Sequence, residues 1–127
     1  MAIDFTFSQD VEDARLMMRQ FLHETVKPAF AAMSENKEAT RDDWSKLVKS
    51  LRQQAKAEGY WLPHMPQEVG GMGIGVTALA AVSAEAAKVP MGPYIINAQA
   101  PDEGNMHTLY HFATDYQRDH FLKPLLE

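Results

Sequence analysis

Asn97–Phe112 reads NAQAPDEGNMHTLYHF, an apolar helical pattern broken by Pro101 and Gly104 and carrying Asp102, Glu103, Asn105 and His107. Proline lacks a backbone donor and glycine a side chain, so in a helix interior they give up at worst roughly 3 and about 1 kcal/mol respectively. A helix built only to fill a core would not be punctuated in this way. The stretch implies a helical surface shaped for something to lie against.

Downstream, Thr114 and Gln117 have the spacing of a capping box, so a last helix starts there, with Phe121, Leu122 and Leu125 expected to bury its face. Upstream, the Ala-rich segment Val76 to Lys88 favours helix and permits close helix contacts, and Pro90 and Pro93 close it. From Tyr60 to Gly75, two prolines and the GGMGIG run (residues 70–75) prevent regular structure. Tyr60, Trp61, Leu62, Met65 and Val69 are nonetheless apolar, so this loop is expected to lie on the helices.

Further upstream, Trp44, Leu47, Val48, Leu51 and Ala55 form a stripe between the Thr40/Asp43 capping signal and Gly59, predicting a helix from Arg41 to Glu58. The chain opens with an extended MAIDFTF. Ser8 is then placed to cap a helix whose first turn carries Asp10, Glu12 and Asp13, charges that suit the positive end of the helix dipole. Val11, Ala14, Met18, Phe21, Leu22 and Val26 give that helix one apolar face. Pro28 is expected to bend or end it near Lys27, with Ala29 to Met33 able to resume it.

No stretch alternates with period two for long enough to make a strand. The fold class read from the pattern is all-α, a bundle of five or six helices joined by short loops, forming a single domain over residues 1–127. The net charge of −5 and the lack of clustered Lys and Arg exclude a nucleic-acid partner. The chain has no cysteine, which excludes a disulfide scaffold and thiolate chemistry. No apolar run approaches the ~18 residues of a membrane span, and the N-terminus is acidic where a leader would be basic, so a cytoplasmic location is expected.

Several groups invite a chemical reading. The GGMGIG run could cradle a phosphate, but no strand precedes it and no acidic residue follows at the ribose-binding distance, so a tight turn into the next helix is expected. His107 and His111, four apart, share a helix face at a spacing metals can use. A zincin would need Glu beside the first His, where Thr108 stands, and the sequence names no third ligand, so no metal site is assigned. Asp102 and Glu103 diverge on a helix and either could cap the helix that follows Pro101. His23 and His64 have no nameable partner, and the methionines fit core filling better than a flexible pocket.

QAPDEGNM followed by FATDYQRDHFLKPLLE, with GYWLPHMPQEVGGMGIG upstream, resembles the N-terminal helical domain of acyl-CoA dehydrogenases. The likeness is close over about the last two thirds of the chain and loose over the first. QAPDEGN is closest to a branch that includes enzymes with an additional kinase-like domain.

The resemblance implies a domain of an FAD-dependent enzyme that acts on acyl-CoA thioesters. In that family a glutamate removes the α proton while the β hydrogen leaves as hydride to the flavin. That base lies in a C-terminal helical domain, and the flavin-contacting segment begins in a β-barrel domain, both absent from these residues. No catalytic residue is therefore assigned to this chain, and alone it is expected to bind neither FAD nor acyl-CoA tightly. By the resemblance, Gln99, Ala100, Glu103, Gly104 and His107 face the acyl chain, Gly104 leaving room for it and His107 making the wall more polar than the aliphatic residue common there. The expected partners are the β-barrel and C-terminal helical domains, in cis or in trans, within a homo-oligomer when complete. A stand-alone helical interaction module and one subunit of a split dehydrogenase are the alternatives.

Overall fold

The computed structural model describes residues 4–127. Of the expected extended start, residues 1–3 lie outside the described residues, and Asp4–Phe7 have no regular structure. Among the described residues there is no strand; the α- and π-helical segments join into six continuous bodies, and a 3-10 turn at Gln67–Val69 stands apart from them. The all-α bundle is thus the observed fold class.

The first body contains α1 (Gln9–Phe21), a π-helical turn (Leu22–Val26) and α2 (Lys27–Glu35). Ser8 occupies the N-cap position, but its hydroxyl caps nothing; Asp10 and Glu12 sit in the first turn as expected. Pro28 does not end the helix. The π turn lets the Lys27 N–H reach back to the Leu22 carbonyl, and the proline then falls in the first turn of α2, where a missing N–H is tolerated. The same arrangement recurs in the last body, α7 (Asp115–Gln117), a π turn (Arg118–Leu122) and α8 (Lys123–Leu126), with Pro124 following the second π turn.

α3 (Arg41–Ala57) carries the expected capping box, with the Asp43 N–H donating to Thr40 Oγ1 at 3.2 Å and the Thr40 N–H donating to Asp43 Oδ2 at 2.9 Å. It ends at Glu58, and Gly59 follows at φ +83°. The Ala-rich segment forms α4 (Val76–Ala86), stopping two residues short of Lys88. α5 (Gly92–Ile95) is a single turn, and α6 (Asp102–Phe112) is the helix of the punctuated stretch.

α1 packs along α4, where Val11 meets Ala78 and Ala81, and the main core gathers Met18, Phe21, Leu22, Val26, Leu51, Trp61, Leu62, Met65, Val82, Ile95, Ile96, Met106 and Leu122. Phe21 stacks on Tyr60 and Phe30 on Trp44, fixing the loop and α3 against the first body. Leu122 is buried and Leu125 partly so, but Phe121 is 54% exposed, against expectation. Phe121 and Leu122 are consecutive residues, so they point to different faces of the helix, and it is Leu122 that faces the core.

Candidate functional site

The site is assembled by the irregular loop before α4, which is held by its own backbone. Leu62 donates to the Ile96 carbonyl at 3.0 Å, while Met72 and Gly73 donate back to the carbonyls of Leu62 and Met65 at 3.1 and 3.0 Å. A Cβ on Gly71 would stand 2.1 Å from the Met65 carbonyl oxygen, so only glycine allows this closure. The result pins His64 beside the entry to α6.

His64 is 8% exposed. Its Nε2 lies 3.0 Å from the Asn97 carbonyl and its Nδ1 lies 3.3 Å from His107 Nε2. A carbonyl only accepts, so His64 Nε2 carries the proton and Nδ1 turns a lone pair toward His107. Burial pushes the His64 pKa below the ordinary imidazole value, keeping the ring neutral at pH 7, although the Asn97 carbonyl and Glu103 oppose this.

α6 starts directly after Pro101, so the proline lies outside the helix interior and its interior cost is not incurred. Asp102 and Glu103 are in the first turn and neither caps it; the position belongs to Pro101. Gly104 sits inside the helix, and a Cβ there would meet nothing within 4 Å. The Glu103 N–H donates to the Gln99 carbonyl at 3.0 Å, tying the turn before α6 to its first residues. Within α6, Glu103 and His107 stand four apart on one face, while Gln99 and Ala100 lie in the turn that leads into it.

Gln99, Glu103 and His107 are half-buried, whereas Ala100 and Gly104 are exposed. Gln99 Nε2 donates to Asp102 Oδ2 at 3.3 Å, leaving Gln99 Oε1 buried without a partner. His64, Glu103 and His107 bring one nitrogen or carboxylate oxygen each to within 4.8 Å of one another. His111 follows His107 with ring centroids 6.3 Å apart, but the closer imidazole partner of His107 is His64.

A cavity of about 290 Å³ opens beside this cluster, lined by His64, Met65, Ile74, His107, Tyr110 and His111 among others. Tyr110 is tethered at its rim by a hydrogen bond to Glu68. A larger groove of about 1100 Å³ lies elsewhere, between α2, α3 and α5, with Phe30, Trp44, Val48 and Tyr94 on its floor and Lys27, Arg41, Lys49 and Arg52 on its lining. The sequence alone gives His64 a surface or satisfied core position without a nameable partner; it shows neither the pairing with His107 nor this groove. The signal for His64 was its place in an apolar run, Trp61–Met65, in which all five residues are buried.

The acyl-CoA dehydrogenase N-terminal domain model matches residues 8–127. Among curated proteins, acyl-CoA dehydrogenase family member 11 from Gallus gallus is 31% identical over 97% of this chain. A Mycobacterium tuberculosis protein named probable acyl-CoA dehydrogenase FadE2 is 30% identical over 98% of it. The chain spans 16% of the length of the first and 31% of the second.

A solved structure from Mycobacterium abscessus, provisionally assigned as an acyl-CoA dehydrogenase, superposes with a TM-score of 0.82 at 26% identity. It is matched over 96% of this chain and 32% of its own. The chain belongs to the acyl-CoA dehydrogenase family, as its N-terminal helical domain.

Proposed function

We propose that this chain is the N-terminal domain of a cytoplasmic, FAD-dependent acyl-CoA dehydrogenase and that Gln99, Ala100, Glu103, Gly104 and His107 line part of its acyl tunnel. The observation that carries the reading is the face of α6 and the turn before it, where Gln99, Glu103 and His107 are half-buried and Gly104 is open, in a domain matched over residues 8–127. Open space over a helical glycine accommodates a chain lying across it, and Gln99, Glu103 and His107 set polarity beside it. Among the described residues no helix is long and apolar enough to cross a membrane.

The glycine-rich turn does not fit a flavin pyrophosphate, because Gly71 is closed against the chain's own Met65 carbonyl. Flavin contact and the proton-abstracting carboxylate are assigned to the β-barrel and C-terminal helical domains of the complete enzyme, a homo-oligomer. Exposed Phe5, Phe112, Tyr116 and Phe121 favour a surface covered by such domains over a stand-alone protein.

The test is the complete enzyme carrying His107→Leu, assayed on acyl-CoA thioesters of increasing chain length. The expected outcome is a changed ratio of kcat/KM between long and short chains with flavin content intact. An unchanged profile removes His107 from the wall. Stoichiometric flavin retained by the isolated chain through purification would place cofactor binding here and refute the division of labour.

A further inference from the structure

We propose that His64, Glu103 and His107 form a binding site for a divalent transition-metal ion of the zinc class. The site would have two imidazoles and one carboxylate as ligands and a fourth position open to the adjoining cavity. This inference uses the geometry of the chain alone and does not depend on the acyl-tunnel reading.

The separation of the two imidazole nitrogens is the first argument. Nitrogens bonded to one tetrahedral ion at about 2.0–2.1 Å stand about 3.3 Å apart, and His64 Nδ1 and His107 Nε2 are 3.3 Å apart. An N–H donor in a hydrogen bond is usually closer to its acceptor, near about 2.9–3.0 Å for N–H···O.

The second argument is the fixed tautomer. His64 donates Nε2–H to the Asn97 carbonyl, the arrangement that orients a ligating imidazole and raises the basicity of its other nitrogen. Its Nδ1 lone pair is thus held in place toward His107 by a buried ring. Glu103 precedes His107 by four residues and shares its helix face. One of its carboxylate oxygens lies within 4.8 Å of a ring nitrogen of each histidine, and a side-chain rotation on metal binding would complete the set. The cavity of about 290 Å³ on the far side has room for a water at the fourth position.

The i,i+4 spacing of His107 and His111, from which no metal site is assigned, does not form this cluster. His111 is exposed and lies a full turn beyond His107, whereas the second imidazole comes from His64, 43 positions upstream.

The experiment titrates the untagged full chain, freed of metal by a chelator, with cobalt(II) and with zinc(II) chloride. Cobalt(II) absorption in the visible range, calorimetry and thermal unfolding are followed. One equivalent is expected to bind, with the intense visible bands of a four- or five-coordinate cobalt site, and zinc is expected to displace it and raise Tm.

His107→Ala and Glu103→Gln alter half-buried positions, so both variants are expected to fold, as checked by circular dichroism, and to lose at least tenfold in affinity. His120→Ala, whose ring stacks on Tyr116, serves as the control and is expected to bind as the parent does. Only the weak bands of hydrated, octahedral cobalt, or affinity unchanged in folded His107→Ala, overturns the proposal.

Discussion

Arg15 Nη1 lies 2.6 Å from Glu85 Oε1, joining α1 to α4 across the interface of small residues that packs them together. Glu85 is 2% exposed, and the same oxygen receives Lys88 Nζ at 3.0 Å. Burial pushes the Glu85 pKa up, but its bonds and charge attraction to Lys88 and Arg15 together outweigh burial and hold the value below the ordinary carboxylate range. The folded-state pKa is therefore depressed. Its contribution is fully present above the unfolded carboxylate value and is lost as pH falls through the folded one. Glu85→Gln is expected to cost about 1–3 kcal/mol at neutral pH. It should also flatten the loss of stability on acidification, read by urea unfolding from neutral pH to about pH 3. An acid limb as steep as the parent's assigns the pH dependence to other carboxylates.

Asn97 links the candidate site to the last helix. It is buried at φ +57°, its carbonyl accepts from His64, and its Nδ2 donates to the Leu125 carbonyl at 2.8 Å. Asn97→Gly keeps the left-handed backbone and loses the side-chain bond, at a cost of about 1 kcal/mol. Asn97→Ala loses the same bond and adds the left-handed penalty, so roughly 2–3 kcal/mol is expected. Asn97→Asp sets a carboxylate against a carbonyl in a buried place and should be the most damaging of the three. Chemical denaturation of the series checks the ranking, and equal losses for Gly and Ala would remove the backbone argument.

The helical pattern was legible because apolar spacing and caps report local physics. The stripe from Trp44 to Ala55 and the capping boxes at Thr40 and Thr114 appear where spacing put them. The two π turns were not legible. Each precedes a Lys-Pro pair, and the sequence shows the proline but not the extra residue that absorbs it. Phe121 was misplaced because it neighbours Leu122, and consecutive helical residues do not share a face. The site was half legible: the pairing of Glu103 with His107 on one face of α6 follows from their spacing of four. Their meeting with His64 depends on a loop closed by Gly71, a contact that no periodicity encodes.

Met106 and Thr108 separate core from surface on one helix. Met106 is fully buried in the main core, whereas Thr108 is exposed and bonds through Oγ1 to the Gly104 carbonyl at 3.0 Å. Met106→Ala should cost about 2–5 kcal/mol through lost burial and a residual cavity. Thr108→Ala should stay within about 0.5 kcal/mol, the ordinary range for a surface change. Urea midpoints compare the two directly. A large loss at Thr108 would mean that its bond to Gly104 supports the helix more than its exposure implies.

Gly104 sets stability against the proposed wall. It lies inside α6 with open space where a Cβ would be, so Gly104→Ala introduces no clash and is expected to stabilise the isolated domain by about 0.5–1 kcal/mol. In the complete enzyme the added methyl group would project into the space assigned to the acyl chain, and Gly104→Leu would fill more of it. The tunnel reading therefore predicts opposite signs in two measurements on one residue: a higher Tm for the domain carrying Ala, and kcat/KM falling for long acyl chains before short ones in the order Gly, Ala, Leu. If stability rises while the chain-length profile stays constant through Leu, the glycine has no place in the tunnel and the open space above it belongs to solvent or another domain.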